Sequence, residues 1–248
     1  VIFKQHYSSS KANLYTVQNA AGQRLLLECG VKWPKIQAAL NFDLSWIQAC
    51  FLSHEHKDHS VGVNNMIKAG IDVYGSLGTL DTLGFDGYNR RINHIADKTL
   101  VRLDGFDVLA FEVHHDAKEP LGFIIRADDE YMLFCTDTSH ISQRFSYPFS
   151  IIAIEASYDI TILQDRVDRQ DINETLAKRL LTSHTEKQTA MRYLADYCDM
   201  SRCRELHLLH LSSDNINREQ TKKDFEKRFF IDAHIIGLHG CPASLVRQ

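Results

Sequence analysis

The sequence predicts an α/β fold, with two β-sheets packed face to face and helices outside, in one continuous domain over 1–248. Three observations predict it. Short apolar or alternating segments give way to helical patterns, and the same order then repeats once. The 248 residues, 44% of them hydrophobic, suffice for one large α/β domain or two small ones. No short-period repeat, low-complexity stretch or linker interrupts the chain.

The elements follow in order. Residues 2–6, 14–18 and 24–28 alternate in polarity and read as strands, with Ser8-Ser9-Ser10-Lys11-Ala12-Asn13 as the first turn. Pro34 suits the first turn of a helix that runs to Leu40. Ile47-Gln48-Ala49-Cys50-Phe51-Leu52 reads as a buried strand, and a helix is expected over 61–69, after a loop. Residues 71–74 form a short strand. Beyond it Gly75, Gly78, Gly84 and Gly87 break any pattern up to about residue 95. The second set of strands covers 99–103, 106–113, 122–126 and 131–135, then the strongly apolar 149–154. Helices are expected over 171–181, 186–197 and 217–229, with a strand over 205–211 between the last two.

Composition excludes some classes. No apolar run approaches the roughly 20 residues of a membrane helix. Val1-Ile2-Phe3 runs straight into polar residues, unlike a secretory signal. Cys29, Cys50, Cys135, Cys198, Cys203 and Cys241 form no C-x-x-C pair, which predicts reduced thiols and a cytoplasmic protein. A net charge of -4 argues against a general attraction for polyanions. Two local basic groups, Lys178, Arg179, Lys187 and Arg192, then Arg218, Lys222, Lys223, Lys227 and Arg228, are either solvated helix faces or a path for a phosphate backbone.

The chemistry concentrates in Ser53-His54-Glu55-His56-Lys57-Asp58-His59, an H-x-H-x-D-H pattern on the loop after the 47–52 strand. Imidazole nitrogen and carboxylate oxygen suit Zn²⁺, and also Mn²⁺ or Fe. Six adjacent residues cannot all face one ion, but they can serve two, with His54 and His56 on one and Asp58 and His59 on the other. The H-E-x-x-H pattern of zinc proteases is excluded, because position 58 is Asp. A two-metal site needs further ligands at strand ends. His115, Asp137 and His210 each stand there. The histidines His94, His207, His234 and His239 lie in apolar runs and read as core or edge residues without partners, whereas His6 and His140 could line the site mouth.

The ordered set H-x-H-x-D-H, then His, Asp and His, resembles the metallo-β-lactamase superfamily along nearly the whole chain. The resemblance implies a four-layer αββα sandwich. It implies that His54, His56 and His115 hold one ion, that Asp58, His59 and His210 hold the other, and that Asp137 bridges. His115 rather than neighbouring His114 is implied because "HDAKEPLGF" resembles the family's His-Asp-Ala followed by Gly-aromatic. Asp116 or Thr138 is expected to support the ligands. Two further segments resemble the phosphodiesterase branches. "IIAIEASYD" places Glu155 at a strand end, and "LLTSHTEKQTA" places His184 before a helix. Ribonuclease Z and the YycJ/WalJ-type nucleases carry a Glu-Ala pair and a later His in this order. "YSSSKANLYTV" and "HLSSDN" resemble the YycJ/WalJ branch and its phage-encoded relatives, with Ala12 in place of the usual Gly. The long arm of ribonuclease Z has no counterpart between Glu155 and His184.

The implied activity is a dinuclear metal-dependent phosphodiesterase, a DNA exonuclease in first place, with a metal-activated hydroxide as nucleophile. Asp58, as a ligand, Glu155 and His184 would carry the reaction, with Glu155 orienting His184 as the acid at the leaving group. Two divalent ions are expected, Zn²⁺ first, with Mn²⁺ or Fe also suited. The expected partner is nucleic acid, DNA before RNA. A small or cyclic nucleotide is the alternative substrate, and thioester or lactone hydrolysis an alternative chemistry. A homodimer is implied by resemblance alone.

Overall fold

The computed structural model describes residues 1–85 and 89–236. Gly87, His239 and Cys241 lie outside the described residues. The strands fall into two sheets, of six and eight strands. The chain forms two compact units, one built on Val1–Glu112 and Ala117–Asp129, the other on Val113–Asp116 and Glu130–Ile235.

The first unit holds the whole six-stranded sheet. β1 (Ile2–Ser9), β2 (Ala12–Gln18) and β3 (Arg24–Leu27) run antiparallel. β4 (Ile47–Phe51), β5 (Asp72–Gly75) and β6 (Ile92–His94) follow in parallel, in the order β1-β2-β3-β4-β5-β6. Parallel neighbours need crossover segments. These are α1 (Trp33–Ala39), α2 (Lys57–Ser60), α3 (Val63–Lys68) and α4 (Leu77–Thr82). Leu14, Leu26, Ile36, Cys50, Leu52, Met66 and Val73 pack one buried cluster, which removes one face of the sheet from water. A meander of β7 (Leu100–Leu103), β8 (Phe106–Glu112) and β9 (Leu121–Ala127) completes this unit.

The second unit is built on parallel strands. β10 (Glu130–Cys135), β11 (Phe145–Glu155), β13 (Glu205–Leu209) and β14 (Ala233–His234) lie in the order β14-β13-β11-β10, and β12 (Cys198–Asp199) pairs with β11. Ile151 to Ile154 are all buried, as expected for strands covered on both faces. The helices are α5 (Ile160–Asp168), α6 (Glu174–Ser183), α7 (Lys187–Tyr197) and α8 (Arg218–Phe229). Each starts at a side-chain cap, from Asp159, Asn173, Glu186 and Asn217 in turn.

Several expectations are corrected. The turn expected over 8–13 shrinks to Ser10 and Lys11, because β1 and β2 stay paired as far as Ser9 and Ala12. The helix expected over 61–69 is broken at Val61 and Gly62. Asp58 and His59 lie in the preceding helical turn α2 rather than in a loop. β11 begins at Phe145 and continues through Pro148, whose neighbourhood pairs with the short β12. The strand expected over 205–211 ends at Leu209. Cys29, Cys50, Cys135, Cys198 and Cys203 are free thiols, the first three buried. No helix among the described residues is long and apolar enough to cross a membrane.

Candidate metal centre

Most of the candidate side chains leave the carboxyl ends of β4, β10, β11 and β13, which run parallel to a neighbour, whereas His115 follows the antiparallel β8. In the first unit, β4 delivers Ser53 and His54, and the chain turns through His56 into α2 with Asp58 and His59. His54 and His59 are fully buried, and their ring centroids are 4.1 Å apart. His54 Nε2 lies 3.0 Å from His56 Nδ1. Two donors on a tetrahedral zinc stand about 3.3 Å apart, so this spacing fits a shared ion.

The chain positions these rings by their other nitrogens. Ser53 Oγ lies 2.8 Å from His54 Nδ1. Glu28 Oε2 lies 3.5 Å from His59 Nδ1, while His59 Nε2 faces Asp58 Oδ2 at 3.3 Å. Asn13 Nδ2 donates to Asp58 Oδ2 at 3.2 Å and lies 3.0 Å from His59 Nε2. Its Oδ1 accepts from the Tyr15 hydroxyl at 2.9 Å, so the amide orientation is set from β2.

In the second unit stand His114 and His115, which follow β8 in the chain, Asp137 after β10 and His210 after β13, while β11 ends on Glu155. His115 Nδ1 donates to the Ser183 carbonyl at 2.7 Å, which leaves Nε2 facing Asp116 Oδ1 at 3.2 Å and Asp137 Oδ2 at 3.8 Å. His210 repeats the device. Its Nδ1 lies 3.2 Å from Glu155 Oε1 and its Nε2 lies 3.7 Å from Asp137 Oδ2. His114 stacks on exposed His140 at 4.1 Å and bonds Ser142 Oγ at 2.8 Å. Asp137 and His210 both have left-handed backbone, with φ of 43° and 53°. Non-glycine residues in that region often mark functional sites.

His54, His59, His115 and His210 thus share one arrangement, with Nδ1 facing a protein oxygen and Nε2 turned the other way. An outer partner of this kind fixes the tautomer and raises ligand basicity. The donor chemistry of both sets fits divalent metal ions of the zinc type.

Glu155 is fully buried yet satisfied on both oxygens. Oε1 accepts from His184 Nδ1 at 2.7 Å, and Oε2 accepts from the backbone of Thr138 at 2.9 Å and Thr185 at 3.1 Å. Burial works against both charged forms. The mutual attraction outweighs it, so the Glu155 carboxyl falls below its usual range and His184 rises to about 9. Burial pushes the His115 imidazole below its usual value, with Asp137 and the Ser183 carbonyl opposing. Asp116 accepts from Arg179 Nε at 2.7 Å.

Glu28 escaped the sequence reading. It ends the apolar run Leu25-Leu26-Leu27, is fully buried, and has φ of 65°. Burial raises its carboxyl above the usual range, against His59 and Ser53, which favour the anion. A buried acid closing an apolar strand was the available signal. Glu28→Gln is expected to weaken metal binding about 10–100-fold with little change in Tm. Competition against a chromophoric chelator measures this, and unchanged affinity would remove Glu28 from the site.

Other expectations also change. His6 is buried and bonds Thr16 Oγ1 at 3.0 Å, with burial taking its pKa to about 4. His207 and His234 are not without partners. His207 lies 3.1 Å from Glu205 Oε2 and stacks on His234 at 4.7 Å. His94 sits exposed on the edge strand β6. Within the predicted basic groups, Lys187 pairs with Asp159 and Asp224, Arg179 with Asp116, and Lys222 with Glu226.

Comparison with known proteins gives the family and the fold. Residues 23–198 match the family model described as the β-lactamase superfamily domain. The exodeoxyribonuclease WalJ of Streptococcus pneumoniae is 26% identical over 229 residues, covering 86% of this chain and 82% of that protein. The exodeoxyribonuclease YycJ of Bacillus anthracis is 22% identical over 211 residues, covering 79% and 77%. The metallo-β-lactamase fold protein YhfI from Bacillus subtilis superposes with a TM-score of 0.70 at 16% identity, covering 94% of this chain and 95% of that one. That likeness shows the fold.

Proposed function

The chain belongs to the β-lactamase superfamily-domain family and is a metal-dependent hydrolase, and from that premise we propose that it is a dinuclear phosphodiesterase acting on DNA as an exonuclease. His54, His56 and His115 would hold one ion, Asp58, His59 and His210 would hold the other with Asp137 shared between the two sets, and the chain would act as one catalytic domain. The similarity to WalJ and YycJ, both named exodeoxyribonucleases, supports DNA over RNA.

One observation carries the choice of a nucleic acid over a small substrate. Beside Asp58 in the first unit lies a cavity of about 590 Å³ lined by Lys11, Lys32, Lys35 and Lys57. Among the described residues these four form no ion pair, and Lys35 lies over the Tyr7 ring at 5.7 Å. In a chain of net charge -4, unneutralised cations gathered next to a metal ligand suit a phosphate backbone leading to the ions.

Two bound ions would supply an activated water nucleophile at neutral pH and would offset charge on the phosphoryl group. The chain's own contribution falls to His184. Glu155 Oε1 holds its Nδ1 proton, so Nε2 is the atom that gives a proton to the departing oxygen. The Lys pocket holds the strand so that the scissile bond stays in register.

The test is hydrolysis of end-labelled DNA, RNA, cyclic nucleotides and bis(p-nitrophenyl) phosphate by metal-stripped protein reloaded with Zn²⁺ or Mn²⁺. Stepwise loss of label from DNA is expected. DNA binding should weaken steeply with salt, and Lys32→Ala with Lys35→Ala should reduce the log–log slope by about 0.7–0.9 per lost phosphate contact. Turnover of cyclic nucleotides alone, without salt dependence, would replace this reading with a small-nucleotide phosphodiesterase. Absence of any phosphodiester turnover would leave thioesters and lactones.

A further inference from the structure

We propose that Glu205, His207 and His234 form a separate divalent metal site, of the zinc type, that ties strand β14 to strand β13. The topology places the three donors together. Glu205 and His207 are two apart on β13 and share a face. β14 runs parallel beside them, with Leu206 opposite Ala233 and His207 opposite His234. His234 therefore stands directly across from His207. Their rings stack at 4.7 Å with planes 21° apart, and His207 Nε2 lies 3.1 Å from Glu205 Oε2. One ligand atom from each residue lies within 4.8 Å of the other two.

These distances suit one small ion. Donors around tetrahedral zinc stand about 3.3 Å apart. The Glu205–His207 pair has that spacing already, and exposed His234 can close the remainder by side-chain rotation. Two imidazoles and one carboxylate match zinc's preferred donors, and the fourth position opens to solvent. Arg204 Nε takes the other Glu205 oxygen, Oε1, at 3.4 Å and its Nη1 pairs with Glu130, so Oε2 is the oxygen turned toward the histidines. The site is distinct from the ligands of the proposed reaction. Glu205, His207 and His234 form a group apart from those that gather His54, Asp58, Asp137, Glu155 and His210.

The role follows from the position. β14 has two residues and is the outermost strand of its sheet among the described residues. So short an edge has few ladder hydrogen bonds, and it follows α8 directly after Phe230, which has left-handed backbone at φ 57°. A metal crosslink between β13 and β14 fixes the return of α8 onto the sheet.

The test uses the untagged full-length chain. Metal-stripped protein is titrated with Zn²⁺, and bound metal is counted after gel filtration. One equivalent more is expected in the parent than in His234→Ala, whose substitution is exposed and leaves phosphodiester turnover unchanged. His234→Cys, which keeps a zinc ligand, should restore the lost equivalent. Asp58→Ala should lower the count without removing this equivalent. Zinc should also raise the Tm of the parent more than that of His234→Ala. Equal zinc counts in parent and His234→Ala would overturn the proposal, whatever the outcome for DNA hydrolysis.

Discussion

Replacing His184 with alanine should lower phosphodiester turnover by roughly 10²–10⁴-fold while leaving bound metal unchanged. The side chain holds no proposed ligand position. Its loss removes the proton donor and leaves the donor set of Asp137 and His210 intact. Glu155→Gln should act through the same ring in a different way. Burial alone favours neutral His184, and the Glu155 carboxylate reverses that to bring it to about 9. Without the carboxylate the acid form is lost earlier as pH rises, so the alkaline limb of the kcat profile should move to lower pH. The same pair has a stability signature. A raised His pKa contributes stability that is fully present below the unfolded value of about 6.5 and is lost as pH rises through about 9. A purely structural role for the pair would lower Tm in both variants without moving the kcat profile. That result would end the assignment of His184 as the acid.

The second large effect is expected at Gly30. A Cβ there would stand 1.6 Å from the Asp58 carbonyl oxygen and 2.1 Å from its carbon. Neither backbone can yield easily. Gly30 N donates to the Asn13 carbonyl at 2.8 Å, and Cys29 N donates to the His59 carbonyl at 2.8 Å, so the exit of β3 is clamped to α2. Relieving the clash requires moving α2, which carries Asp58 and His59. Gly30→Ala should therefore cost about 3 kcal/mol or more in stability and should lose the metal proposed for those two residues. Urea denaturation and metal counting on one preparation read both effects. A variant with parental Cm and full metal content would show that α2 is free to shift.

The cluster at 54–59 was legible because its four ligand types follow one apolar strand, a local pattern that needs no tertiary knowledge. The second-unit candidates were legible for a related reason. Asp137 and His210 stand one or two residues past apolar runs, and Glu155 ends one. Features made between distant segments were not legible. The lysine pocket draws on residues 10–12, 30–35 and 57–61, so a search for basic runs found Lys178 to Arg192 instead. There Lys187 and Arg179 are spent on acidic partners. α5 was missed because Ile160, Thr161, Ile162 and Val167 are β-branched and read as neither period. Its start is set by Asp159, whose side chain accepts from Thr161 N. Glu28 was passed over because an acid after three leucines looks like a strand end, and only the fold shows that water does not reach it.

The left-handed backbone at Asp137 and His210 restricts how this centre can be altered. Asp and His are among the few types that enter that region at modest cost. A β-branched replacement would be opposed by the main chain before any donor atom is considered. Lengthening Asp137 to Glu would change reach and backbone preference together. At these two positions the identity of the side chain is written twice, once in the proposed coordination and once in φ. At His54 and His56 it is written once, so substitutions tolerated by the folded chain should be far more varied there.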